Sequence, residues 1–144
     1  MSVKSVQFAV AAHIMAALGF HDEEISSVNL ADSVNADPTF VRKSLSKLSK
    51  AGLVVTKRGK SGASVLARPP RRITLLDIYR ASGAPPAFAI HSYPADKRCP
   101  VSCNLKECMA GVLSQAQYSF ERSLAKITLA SLIRQIREKR SDFF

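Results

Sequence analysis

The chain has 144 residues, of which 47% are hydrophobic and 22% charged, so it can bury one core and is too short for a large multi-site enzyme. This composition also excludes disordered, collagen-like and low-complexity classes. Lysine and arginine number 21 against 11 acidic residues, which gives a net charge of +10. The whole excess lies between Pro38 and Leu76, where ten basic residues occur without one acid, and such a stretch favours binding of a polyanion.

The first two predicted elements are helices. Apolar residues recur at every fourth position from Val6 to Leu18, which predicts a first helix ended by Gly19. Ser26 or Ser27 can cap a short second helix, because a serine hydroxyl accepts a hydrogen bond from a free backbone N–H of the first turn.

The third predicted helix carries clear signals at both ends. Asp37 is a typical N-cap residue, Pro38 suits the first helical position, and Gly52 suits the C-terminal end. Its inward-facing residues are expected to be Val41, Leu45 and Leu48. The opposite face then carries short polar and long basic side chains.

Two short β-prone runs follow, at residues 53–56 and 63–66, and the basic segment 57–62 with two glycines joins them. This pattern predicts a β-hairpin with cations at its tip. Thr74 and Asp77 then have the spacing of a capping box, which predicts a fourth helix ending at Gly83.

Segment 84–108 contains four prolines and no sustained periodicity, so a loop is predicted that carries the three cysteines. A long amphipathic helix is predicted from Met109, and Thr128 can start a last helix with a basic end. The chain is too short to offer much else that could cover the long apolar stripe, so we predict a dimer interface. Its residues are Met109, Val112, Leu113, Ala116, Phe120, Leu124 and Ile127.

The order of helix, helix, capped basic helix and basic hairpin predicts a winged helix-turn-helix. The fold class is therefore mostly α with a small β-hairpin wing and a long C-terminal dimerisation helix. In such a domain the third helix enters the major groove and the wing contacts flanking phosphates, and the lack of acids favours this reading over a solvated basic face. The candidate DNA-binding residues are Ser27, Thr39, Phe40, Arg42, Lys43, Ser46, Lys47, Lys50, Lys57, Arg58, Lys60 and Ser61.

Four phrases carry a resemblance to a known family: ADSVNADPTFVRK (31–43), KAGLV (50–54), ITLLDIY (73–79) and ITLASL (127–132). They resemble the Rrf-two family of bacterial winged-helix repressors, and its YwnA-like members in particular, over nearly the whole chain. The resemblance implies a homodimer whose long helix crosses its partner and sets the spacing of two recognition helices on a pseudo-palindromic operator. The family usually has a Gly-Pro-Gly-Gly-like wing, and here segment 58–62 differs from it.

Cys99, Cys103 and Cys108 have the spacing C-x3-C-x4-C, and an odd number of cysteines in a chain expected to be cytoplasmic argues against a disulfide framework. The resemblance implies that they stand where cluster-binding members carry three cysteine ligands, although those members space them more widely. An iron-sulfur cluster would need a fourth ligand, for which His91 or His13 is available.

Direct thiol or electrophile sensing is the preferred alternative to a cluster. Lys97 and Arg98 precede Cys99 and favour its thiolate form, and oxidation to a disulfide would pull on the segment. Unreactive cysteines are a third possibility. No cofactor is certain on this basis, and the metal assignment stays open.

The sequence shows no Walker phosphate loop, paired metal-binding histidines or nucleophile elbow, so an enzyme is not expected. The apolar stretch from Val6 to Phe20 is too short to span a bilayer. The predicted organisation is a DNA-binding domain at 1–83, a sensor loop at 84–108 and dimerisation helices at 109–140. The predicted function is a cytoplasmic, homodimeric, sequence-specific transcriptional repressor, with a nucleic-acid or protein-interaction adaptor as the alternative.

Overall fold

A computed structural model describes residues 6–57 and 62–141. Within these ranges the chain forms helices α1 (Gln7–His21), α2 (Ser27–Val34), α3 (Pro38–Lys50), α4 (Leu75–Ala81), α5 (Pro100–Ala125) and α6 (Leu129–Ser141), strands β1 (Val54–Thr56) and β2 (Ser64–Leu66), and one 3-10 turn (Pro70–Arg72). The predicted fold class, mostly helical with one β-hairpin, is confirmed.

The chain divides into two compact units. The winged-helix unit comprises residues 1–84 and 124–144, and the cysteine unit comprises residues 85–123. The last helix was expected to be a dimerisation helix separate from the DNA-binding domain. The structure instead places α6 inside the winged-helix unit, where it packs against α1 and the 3-10 turn.

Helix starts in the winged-helix unit follow the predicted caps. Asp37 Oδ1 accepts a hydrogen bond of 2.7 Å from the N–H of Thr39, and Pro38 occupies the first helical position. Thr74 and Asp77 exchange the two hydrogen bonds of a capping box at the start of α4. Each of these contacts satisfies backbone N–H groups that the first helical turn leaves without partners.

The hairpin is antiparallel, with Val55 opposite Val65 and Thr56 opposite Ser64. Ile25 forms an isolated bridge to Ser64 on the outer side of β2, so the loop between α1 and α2 is fixed to the hairpin. Ser64 is fully buried, and its hydroxyl shares a hydrogen bond of 3.0 Å with that of Thr56.

The core of the winged-helix unit draws on every one of its helices. Ile14, Leu30, Leu48, Ile78 and Leu129 each have 0% exposure, and they come from α1, α2, α3, α4 and α6 respectively. The start of α6 is fixed by main-chain pairing of residues 73–75 with residues 127–129. This pairing closes the core with a segment from the far end of the chain.

The prediction that Gly19 ends the first helix is wrong. α1 continues to His21, and Asp22 takes the left-handed conformation at its end with φ 50°. Gly19 is buried, and a Cβ built on it would collide with Cδ1 of Ile133 in α6. The missing side chain therefore serves the close approach of two helices rather than a helix end.

The prediction of a loop as far as Cys108 and a helix from Met109 is also wrong. α5 begins at Pro100, so Cys103 and Cys108 are helical residues. Proline is compatible with the first position of a helix because the N–H that it lacks would have no helical partner there. No helix within residues 6–57 and 62–141 is both long and apolar enough to span a bilayer.

Candidate nucleic-acid interface

The two faces of α3 are separated as predicted. Val41, Leu45 and Leu48 are buried in the core. The opposite face is exposed and carries Thr39, Arg42, Lys43, Ser46 and Lys50. A helix of this kind presents basic and hydroxyl side chains on a rigid support, which is the arrangement needed to reach base edges in a major groove.

A groove of about 480 Å³ lies between α3 and the hairpin. Ser27 of α2, Arg42 and Lys50 of α3, and Thr56 of β1 line it, together with Leu45, Ser46, Ser49 and Gly62. Four of the predicted DNA-binding residues, Ser27, Arg42, Ser46 and Lys50, thus meet at one surface although they come from two separate helices. The strand that carries Thr56 leads directly into the wing.

The N-terminal turn of α3 is organised around Asp37. The backbone N–H of Thr39 lowers the pKa of the Asp37 carboxyl from its usual 3.8, and the Thr39 hydroxyl and the charge of Arg42 act in the same direction. Arg42 Nη2 also donates a hydrogen bond of 3.3 Å to Thr39 Oγ1. Two candidate DNA contacts are therefore positioned relative to each other by the helix cap.

The wing residues are only partly described. Lys57 forms an ion pair with Glu24 of the loop before α2, and the two side chains are 61% and 45% exposed. Arg58, Lys60 and Ser61 lie outside the described residues. The acidic loop that carries Glu24 is thus placed beside Lys57 at the base of the wing.

Phe40 and Lys43 lie on the side of α3 away from the wing. With Gln7, Ser44, Lys47 and Ser82 they line a second cavity of about 260 Å³. Phe40 is half-buried there, whereas Lys43 is exposed. Lys47 is directed toward the end of α4, with Nζ 3.5 Å from the carbonyl oxygen of Ser82.

The three cysteines are free thiols at the start of α5. Cys99 is half-buried, and its Sγ accepts a hydrogen bond of 3.4 Å from the N–H of Ser102. Cys103 is exposed, and its Sγ donates to the carbonyl oxygen of Asp96 at 3.2 Å. The Asp96 carboxylate also pairs with Arg98 at 3.3 Å, so this aspartate organises the segment around two of the thiols.

This arrangement does not fit an iron-sulfur cluster. Cys103 and Cys108 are five residues apart on one helix, which separates them by about 140° around the axis and their Cα atoms by about 9 Å. His91 stacks on Tyr93 at 4.6 Å, and His13 shares a hydrogen bond of 3.3 Å with Ser33. Among the described residues no three His, Cys, Asp or Glu side chains are placed to hold a metal ion.

The apolar stripe on α5 is longer than predicted. Val112 is 59% exposed, while Met109, Leu113 and Phe120 are half-buried and Leu124 is already covered within the chain. Val101 and Leu105 were missed, and they are 65% and 37% exposed. Their spacing of four residues, directly after a proline suited to a helix start, is the sequence signal that could have found them.

Fold and surface together define a winged helix-turn-helix protein with a basic recognition helix. Comparison with protein families gives a match to the Rrf2 model, described as iron-dependent transcriptional regulator, over residues 4–135. The chain belongs to the Rrf2 family, as the four sequence phrases predicted, and is a DNA-binding transcriptional regulator. Members of this family are regulators and not enzymes.

Individual relatives support the same conclusion. YwnA of Bacillus subtilis (strain 168), which carries the name of an HTH-type transcriptional regulator, is 35% identical over 90% of this chain and 96% of its own. A crystal structure of a protein described as DNA-binding is 32% identical, covers 88% of this chain and 98% of its own, and gives a TM-score of 0.71. The structure of IscR from T. potens, at 24% identity, shares the fold over 96% of this chain and 90% of its own, with a TM-score of 0.70.

Proposed function

We propose that the protein is a homodimeric repressor that reads a pseudo-palindromic operator by inserting α3 of each protomer into the major groove. The observation that carries the proposal is the exposed face of α3, where Arg42, Ser46 and Lys50 line the groove beside the hairpin and Lys43 is exposed directly after Arg42. Arginine and lysine read guanine edges, and two such helices related by a twofold axis read two half-sites.

The test is selection of duplexes from a random pool at fixed salt concentration. The wild type is expected to enrich one pseudo-palindromic sequence, and the double variant Arg42→Ala, Lys43→Ala to lose this selection while it stays folded. The matched control is Arg71→Ala, Arg72→Ala, which removes the same charge from the 3-10 turn. Equal binding of all nucleic acids by the wild type would instead support an adaptor without sequence-specific regulation.

The dimer interface belongs to the same proposal. The stripe on α5 from Val101 to Phe120 leaves apolar side chains exposed over several helical turns, and a second copy of this helix is the surface that matches its length and character. Val112→Glu should shift the protein from dimer to monomer in sedimentation experiments. Ser114→Glu adds the same charge about 160° away around the helix and should leave the dimer intact.

The cysteine segment is the proposed sensor, and its geometry favours thiol chemistry between one pair. Cys99 and Cys103 span one helical turn, a Cα separation of about 6 Å, which a disulfide can bridge. The separation of about 9 Å between Cys103 and Cys108 is too long without movement of the backbone. Cys99 to Cys103 is therefore the proposed intrachain disulfide.

The chemistry needs a peroxide as oxidant. The peroxide oxidises one thiol to a sulfenic acid and leaves as an alcohol or water, and the second thiol then attacks the sulfenic sulfur, so that a disulfide forms and water leaves. Peptide mass spectrometry after peroxide treatment should find the Cys99–Cys103 disulfide in the wild type and in Cys108→Ser. A disulfide that always involves Cys108 would contradict the assignment.

A further inference from the structure

The C-terminal end of α4 has a compact set of polar contacts. Ser82 is 3% exposed, and its hydroxyl donates a hydrogen bond of 2.6 Å to the carbonyl oxygen of Tyr79. The same hydroxyl accepts one of 3.2 Å from the N–H of Ala84. Gly83 between them has φ +72°, the left-handed conformation that turns the chain away from the helix. The chain leaves the winged-helix unit two residues later.

Lys47 of α3 completes this set from a position 35 residues away in sequence. Its Nζ lies 3.5 Å from the carbonyl oxygen of Ser82. A Cβ built on Gly83 would lie 3.1 Å from Nζ and 3.5 Å from both Cδ and Cε of Lys47, so the outer part of this exposed lysine lies beside the glycine. A cation here is favourable because the carbonyl groups at a helix C-terminus carry partial negative charge.

We propose that Lys47 is a positioning residue that ties the recognition helix to the end of α4 and is not itself a DNA contact. This revises its place among the predicted DNA-binding residues. Residues 82–84 lead directly into the cysteine unit. A change of conformation in that unit that reaches these residues therefore alters the contact that Lys47 makes. The tie then couples the cysteine unit to α3, and this second step rests on the proposed cysteine sensor.

The first test separates a tie from a phosphate contact by the salt dependence of operator binding. Each lysine that neutralises a DNA phosphate adds about 0.9 to the slope of log affinity against log salt concentration. Lys47→Met should weaken operator binding several-fold with an unchanged slope, since α3 is less well positioned but no phosphate contact is lost. Lys57→Met, at the base of the wing that is expected to contact flanking phosphates, is the comparison and should reduce the slope by about one. A slope reduced by about one in Lys47→Met would overturn the proposal.

Two further variants distinguish loss of the Lys47 contact from unfolding of the protein. Lys47→Arg keeps a cation that reaches the same carbonyl oxygen and should restore the affinity. Gly83→Ala leaves Lys47 in the sequence but places a Cβ in strained backbone against its side chain, so it should reproduce the lower affinity with the unchanged slope. Cooperative thermal unfolding of each variant shows that the fold is intact. Wild-type affinity in a folded Gly83→Ala variant would overturn the tie.

The second test addresses the coupling. The ratio of operator affinities before and after peroxide treatment should move toward one in Lys47→Met relative to the wild type. An unchanged ratio would overturn the coupling. The salt dependence of binding would then still decide whether Lys47 ties α3 to α4. A wild-type ratio of one would overturn the cysteine sensor and the coupling together, and the slope would still decide whether Lys47 contacts DNA.

Discussion

The winged-helix unit and the cysteine unit differ in how they cover their apolar side chains. In the winged-helix unit Leu129 and Ile78 are fully buried by helices of the same chain. In the cysteine unit Val101 and Val112 are 65% and 59% exposed although they belong to a regular apolar stripe. The first unit therefore completes its core alone, whereas the second leaves apolar side chains exposed, for which the proposed cover is a second copy of the chain.

The largest expected effect tests this contrast by matched truncations. Leu129→Ala removes a fully buried side chain and should lower the free energy of unfolding by about 2–5 kcal/mol. Val112→Ala at a concentration where the protein is monomeric should change it by less than about 0.5 kcal/mol. Urea unfolding measures both values. The reverse order of effects would mean that the apolar stripe is part of the chain's own core.

The next effect concerns the close approach of α1 and α6. Gly19→Val places a branched side chain where Ile133 and Leu66 already lie, and such overpacking costs about 1–3 kcal/mol. The double variant Gly19→Val, Ile133→Ala should recover part of this loss, because it removes the side chain that collides. Simple additivity of the two single effects would show that the residues are not in contact.

A smaller, pH-dependent effect is expected at the start of α3. The lowered pKa of Asp37 means that its charge stabilises the folded state above pH 3.8, and this stability is lost as the pH falls through the lowered value. Asp37→Ala should lower the Tm at neutral pH, and its difference from the wild type should shrink in strong acid. Asp37→Asn keeps a capping side chain without a charge and is the control. A Tm difference between Asp37→Ala and the wild type that grows as the pH falls would contradict the stabilising role of the Asp37 charge.

The smallest effect is expected at the base of the wing. Glu24→Gln removes the ion-pair partner of Lys57 and should raise DNA affinity about two- to five-fold. The effect is small because solvent screens an exposed ion pair. Glu23→Gln changes the net charge equally at the neighbouring position. The same gain from both variants, measured by titration at one salt concentration, would assign it to net charge and not to Lys57.

The elements that the sequence predicted well depend on local signals. The caps at Asp37 and Thr74 involve residues two or three positions apart, and the inward face of α3 follows from helical periodicity alone. The exposed basic face of α3 was predictable for the same reason. The start of α5 is not predicted, because the four prolines of segment 84–108 together indicate a loop. One of them, Pro100, nevertheless suits the first helical turn.

The sequence by itself determined the family, the winged-helix order of elements and the concentration of positive charge on α3 and the wing. Only the tertiary structure decided that the missing side chain of Gly19 lets α6 pack closely and that Glu24 pairs with Lys57. The same holds for the contact of Lys47 with the end of α4. Caps and periodicity act within one or two helical turns, so they can be read from neighbouring residues. These other contacts join residues far apart in the chain, and their geometry exists only once the core has formed.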